Sequence, residues 1–247
     1  MFTRQTWQGH DLLVVRGNFT EVLTCRDLYQ QRHNITPPPA ADGAALDRLM
    51  AAAGLAAVSL VDRESWGWSV TLAGSAAGMF CGVEPEGMVC ATVREAPAPK
   101  AAGALQRQKK GGPLVQSAFE PRGSCSVNAV EQYFTMVDQL PTRLAVTDSW
   151  DAALVQILSG GDLSAVESLE DAELVQRLDR AEEAGELTNT DEVVLFYECR
   201  CEDEMILRMI TSLPSDQRAE LWGDERELRV ECPRCKREYV IQRPRKI

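Results

Sequence analysis

The chain has 247 residues, 45% hydrophobic and 26% charged, which excludes fibrous, collagenous and wholly disordered readings and fits one or two globular domains. Its net charge of −11 lacks the basic surface typical of a nucleic-acid binder. The longest apolar stretch, Leu49 to Val61, falls well short of the ~20 residues a spanning helix needs, and MFTRQTWQGHDLLVV at the N-terminus has no apolar export segment, so a cytoplasmic protein without a membrane role is expected.

Residues 1 to about 158 alternate apolar runs with turn residues and read as a mixed α and β core with an antiparallel sheet. Leu12 to Val15 is a short strand. After HNITPPPA, a helix opens at Asp42 or Gly43, with Leu46, Leu49, Met50, Ala53, Ala57 and Leu60 at helical spacing, and it is expected to be largely buried. Trp66 to Leu72, Met79 to Val83 and Met88 to Val93 read as strands, the last two joined as a hairpin at Glu84-Pro85-Glu86-Gly87. If that hairpin closes around Pro85 and Glu86, Cys81 and Cys90 face each other as two small core residues, with a cross-strand disulfide as the lesser alternative. Trp66 and Trp68 are read as facing opposite sides of their strand, one in the core and the other in an exposed patch. REAPAPKAAGALQRQKKGGP, residues 94 to 113, has the composition of a mobile surface loop. Val130 to Gln139 and Leu154 to Leu158 fit helix and strand equally.

Ser159-Gly160-Gly161 marks a break, and residues 159 to 192 read as an acidic helical linker. Residues 160 to 192 hold eleven acids against Arg177 and Arg180, most of the chain's negative charge. Ser168 and Asp171 resemble a capping box, and Ala172, Val175, Leu178 and Ala181 give the following helix a narrow apolar stripe that is expected to dock weakly. Residues 193 to 247 form a third region: a strand from Val193 to Tyr197, helices near 202 to 212 and 215 to 221, and a hairpin of Leu228 to Glu231 with Tyr239 to Ile241.

That last region carries the chemistry. Cys199 and Cys201 form a CxC, and Cys232 and Cys235 form a CxxC thirty residues later. Two close thiolate pairs match the tetrahedral all-sulfur environment that Zn²⁺ accepts at about 2.3 Å per bond. Arg200, Glu202, Arg234 and Lys236 around them are a poor context for four unliganded apolar thiols. With few large apolar residues, a unit of this size is in the range where a metal staple is needed, and loss of the metal is expected to unfold much of it. Close thiolate pairs beside positive charge are also oxidant targets. On spacing alone, a purely structural zinc site is the preferred reading.

The run VVLFYECRCEDEMILRMITSLPSDQRAELWGDERELRVECPRCKREYVI resembles the zinc domain of the thirty-three-kilodalton heat-shock proteins, bacterial redox-regulated holdase chaperones. RHNITPPPAADGAALDRLMAAAGLAAVSL, VEQYFTMVDQLPTRLAV and AALVQILSGG are similar, more thinly, to parts of that family's core. The resemblance implies a reduced, inactive state in which Cys199, Cys201, Cys232 and Cys235 ligate zinc. It also implies that oxidation pairs Cys199 with Cys201 and Cys232 with Cys235, releases zinc and destabilises the linker, so that apolar core surface binds unfolding clients without ATP, often in a homodimer. Two departures from the family pattern are a shorter linker and a core that reads as trimmed around residues 94 to 125. Ala152 and Ala153 also stand where the family tends to have glycines.

Two other function classes compete. A zinc-ribbon-like module with a structural zinc could touch nucleic acid through the tail from Arg234, which nets +5, although the acidic linker opposes this. A thiol oxidoreductase using CPRC lacks the βαβ context of that chemistry. His10 and His33 have no partner pattern for catalysis, Cys25 and Cys125 read as ordinary packing or surface thiols, and no enzyme activity is expected.

Overall fold

The computed structural model describes residues 1–96 and 100–243. The elements, in order, are β1 (Phe2–Trp7), β2 (Leu12–Asn18), α1 (Thr20–Arg32), α2 (Ala40–Val58), β3 (Ser65–Thr71), β4 (Ala77–Val83), β5 (Met88–Glu95), β6 (Ala102–Gln108), β7 (Leu114–Phe119) and α3 (Ser126–Tyr133), which runs on as a π-helical turn to Asp138. Then come β8 (Thr142–Val146), β9 (Asp151–Ile157), α4 (Asp171–Glu183), β10 (Leu187–Val193), β11 (Phe196–Tyr197), α5 (Asp203–Thr211), α6 (Ser215–Trp222), β12 (Glu227–Glu231) and β13 (Glu238–Gln242).

The fold is α+β. One sheet has the order β10-β1-β2-β9-β8 and is antiparallel throughout. The second has the order β11-β5-β4-β3-β6-β7, antiparallel except where β11 runs parallel to β5. The α2 helix packs against strands of both sheets, and for this reason its residues from Leu49 to Val58 are buried on every side. Its run of small residues, Ala51, Ala52, Ala53, Gly54, Ala56 and Ala57, allows that approach. A Cβ on Gly54 would stand 2.9 Å from the Phe19 ring and 3.0 Å from Leu195.

The strand assignments for 66–72, 79–83 and 88–93 hold to within a few residues, but the register of the hairpin differs from the expected one. The loop is Pro85-Glu86-Gly87. Gly87 takes φ +89° and donates its N–H to the Glu84 carbonyl at 2.9 Å, while Glu84 N–H bonds the Met88 carbonyl. This three-residue loop with a left-handed glycine sets Cys81 opposite Ala91 and Cys90 opposite Gly82, so the two thiols do not face each other. They point to opposite faces of the sheet. Trp66 and Trp68 are two residues apart on one strand and therefore share a face; both are buried, with ring centroids 5.9 Å apart.

The stretch read as a mobile loop contains β6, which lies between β3 and β7 inside the sheet. Its Ala and Gly residues serve the packing: Gly103 leaves room for the Phe119 ring, which a Cβ would meet at 2.4 Å. Residues 102–119 thus supply two strands of this sheet. Residues 97–99 of that stretch lie outside the described residues.

The acidic segment is folded onto the first sheet. Its capping box is formed by Glu170 and Glu173, two residues beyond the expected pair. The buried face of α4 is Leu174, Leu178 and Ala181, with Ala172 exposed. These side chains and Val166 cover Trp7, Leu12, Val14, Ala145, Ala153 and Val155 on the outer face of the sheet. Arg143 bridges to Asp171 at 2.8 Å, and Arg16 pairs with Asp179. The β10 strand then adds to the edge of β1.

Candidate metal centre

Three elements deliver the four cysteines. The β11 strand ends its pairing with β5 when Glu198 N–H bonds the Val89 carbonyl, and the chain leaves the sheet edge with Cys199 and Cys201 on the departing segment. The β12–β13 hairpin carries Cys232 and Cys235 in its loop. There, Lys236 N–H bonds the Cys232 carbonyl at 2.9 Å and Cys232 N–H bonds the Arg237 carbonyl at 2.8 Å. Lys236 sits at φ +66°, closing the loop so tightly that Arg234 N–H points at Cys232 Sγ, 3.4 Å away.

All four cysteines are buried, and their sulfurs lie within 4.8 Å of one another, with Cys201 and Cys235 at 3.5 Å. A tetrahedron of Zn–S bonds of 2.3 Å has edges of about 3.8 Å. The donor set and its spacing therefore fit a thiophilic dication such as zinc. Hydrogen bonds among the sulfurs push the Cys199 thiol up and hold Cys232 well below the ordinary thiol range. The same bonding, led by Cys199, lowers Cys201 to about 6. A cation binding the four sulfurs would displace their remaining protons.

Three tyrosines enclose the cluster. Tyr239, on β13, donates its hydroxyl to the Cys201 carbonyl at 2.7 Å, with Cys201 Sγ at 3.0 Å. Tyr29, on α1, places its hydroxyl 3.4 Å from Cys235 Sγ. Tyr197 donates to the Ala91 carbonyl, and its ring meets that of Tyr29 edge-on at 5.3 Å. Burial pushes all three phenols up, so they remain donors. Tyr29 escaped sequence reasoning because its helix was not anticipated.

The other singled-out residues lie elsewhere. Cys25 and Cys125 are exposed, and Cys81 and Cys90 are buried. Cys90 adjoins Cys199 from the β5 side. The His10 ring packs on Trp7 and the His33 ring on Tyr29. Arg200 and Arg234 both reach Glu84, and Arg237 lies over the Tyr239 ring at 4.7 Å. Arg245 and Lys246 of the basic tail fall outside the described residues. No described helix is long and apolar enough to cross a membrane.

Comparison with known proteins agrees with this architecture. The sequence matches the family described as Hsp33 protein over residues 13–242. No curated protein matches it. Among solved structures, the chain is similar to the 33 kDa chaperonin (heat shock protein 33 homologue) of Thermotoga maritima, with 16% identity, 98% of this chain and 94% of that chain covered, and a TM-score of 0.67.

Proposed function

The chain belongs to the Hsp33 protein family, and from that premise we propose that it is a redox-regulated, ATP-independent holdase chaperone whose switch is the four-cysteine cluster. The observation that carries this reading is the pairing of that cluster with a covered apolar face on the same chain. Cys199, Cys201, Cys232 and Cys235 would hold Zn²⁺, which when bound ties the departing segment and the hairpin loop into one unit. The regions follow: a core through residue 158, an acidic linker from 159 to 192 and a zinc-binding switch from 193 to 247.

Peroxide would take two electrons from each close pair and leave as two waters, forming Cys199–Cys201 and Cys232–Cys235 disulfides. Disulfide sulfurs no longer bind a dication, so the region loses its staple. Directly upstream, β10 is held by its ladder to the edge strand β1, and α4 by three buried side chains and the Arg16–Asp179 and Arg143–Asp171 pairs, amid eleven acids that repel one another. Their departure would uncover Trp7, Leu12, Val14 and Val155, a face suited to apolar segments of unfolding proteins. Release of acidic chain beside that face keeps the complex soluble. A cytoplasmic setting and a homodimeric oxidised state complete the reading.

Light scattering from a heat-unfolding client tests it. The reduced, zinc-loaded protein is expected to leave aggregation unchanged, and protein oxidised by peroxide under mild heat is expected to suppress it. Equal scattering with the two forms would overturn the redox-gated holdase and leave an interaction module with a structural zinc.

A further inference from the structure

Glu84 directly follows β4, and its carboxylate is buried. A buried charge persists only when it is paired and hydrogen-bonded. Its partners come from the core and from the cysteine loops. Ser65 donates to Oε2 at 2.7 Å, Arg234 to Oε1 at 2.5 Å, and Arg200 reaches Oε2 at 3.1 Å. Arg200 is the central residue of the CxC, and Arg234 lies inside the CxxC. One carboxylate thus holds both ligand-bearing loops through the residues that separate their sulfurs.

The surroundings are shaped for this contact. Gly82, on β4, leaves the space that Arg234 occupies: a Cβ there would lie 2.6 Å from the guanidinium. Arg94, on β5, donates to the Pro233 carbonyl inside the CxxC, and the Phe80 ring lies under Arg94 and Arg234 at 4.9 and 5.9 Å. By contrast, the nearby pair Arg229–Glu238 is exposed and joins residues of the hairpin alone.

We propose that Glu84 is a positioning residue of the switch: by pairing with Arg200 and Arg234 together, it docks both cysteine loops on the sheet and sets how readily the four sulfurs are oxidised and separated. The proposal rests on the redox reading above for its consequence, but the docking itself is independent of chaperone activity. When each close pair becomes a disulfide, the backbone between its cysteines must reshape, and Arg200 and Arg234 sit in that backbone. Oxidation and undocking are therefore one event, and weakening the clasp should make the oxidation easier.

The test compares wild type with Glu84→Gln and Gly82→Ala, which loosen the same contact by removing the charge or by displacing the guanidinium. Glu84→Asp keeps the charge and serves as the conservative variant, and Arg229→Ala is the control. In each full-length, zinc-loaded protein, hydrogen exchange is measured at the amides of residues 198–202 and 232–236, and metal release under a fixed peroxide dose is followed with a chromogenic chelator. Residues that support ligand shells typically change metal-site properties 10- to 100-fold, so Glu84→Gln is expected to speed release about 10-fold and raise exchange at both loops, with Glu84→Asp in between and Arg229→Ala unchanged. Wild-type exchange at both loops in folded Glu84→Gln and Gly82→Ala would overturn the proposal. If Glu84→Gln does not fold, Gly82→Ala and Glu84→Asp decide by the same readouts. Raised exchange in a protein whose oxidised wild type fails to hold clients would sustain the clasp while refuting the holdase function.

Discussion

Replacing Leu178 with alanine should loosen α4 from the core. The side chain is fully buried between that helix and the outer face of the first sheet, and it is one of only three buried residues on α4. Leu→Ala at such sites costs about 2.7–5.0 kcal/mol, more where the vacated space cannot collapse. Here a cleft of about 300 Å³, lined by Arg16, Gly17, Ala152, Ala153, Val175 and Asp179, already adjoins the leucine. Fewer contacts are therefore lost, and a cost near ~3 kcal/mol follows. At about 1.4 kcal/mol per factor of ten, local opening of α4 should become about 150-fold more frequent. Hydrogen exchange on the reduced protein reads this directly: amides of residues 171–183 should accelerate by that factor while those of residues 49–56, in α2, do not. The same variant should suppress client aggregation partly without oxidant. Equal acceleration in α4 and α2 would refute the reasoning, because it would mean that the acidic helix opens only with the whole core.

Three further outcomes are expected. Tyr239→Phe removes the hydroxyl donated to Cys201 and should weaken zinc binding about 10-fold in competition with a chelator, with little change in the fold of the hairpin. Cys232→Ser, or chelation of the reduced protein, should unfold the region from 199 to 243 and loosen α4 and β10 upstream of it, seen as lost exchange protection in α5, α6, β12, β13 and α4 while α2 stays protected. Burial raises the Glu131 carboxyl above its ordinary 4.5, despite the Leu144 N–H and the neighbouring Arg143, and Asp171 adds to the rise. The folded state therefore binds this proton more tightly than the unfolded one. Its contribution is full below about pH 4.5 and is lost as the pH climbs through the raised value, so wild type should lose stability relative to Glu131→Gln as the pH rises above 4.5 in urea unfolding.

The sequence reveals the donor set most clearly, because CxC and CxxC spacing is local and the ligand chemistry admits few alternatives. The α2 helix and the β4–β5 hairpin are legible for a similar reason: apolar spacing or a turn signal lies within one short window. What escapes depends on partners far away. β6 has the Ala, Gly and Lys content of a loop and becomes a strand through its neighbours β3 and β7. β10 is polar and acidic, and only the edge of β1 makes it a strand. α1 carries few buried residues, Val22, Leu23 and Tyr29, too few for a clear helical stripe, and Tyr29 is hidden with it. The hairpin register turned on one left-handed glycine. The Glu84 clasp joins residues more than a hundred positions apart, and no local pattern marks it.

The most direct measurement is hydrogen exchange of residues 171–183 before and after peroxide, on samples in which both disulfides have been verified by peptide mapping. Slow exchange is expected in the reduced protein and exchange within seconds after oxidation, with α2 still protected. An α4 that stays protected once Cys199–Cys201 and Cys232–Cys235 have formed would contradict it, because the apolar face would then remain covered in the state that is supposed to bind clients.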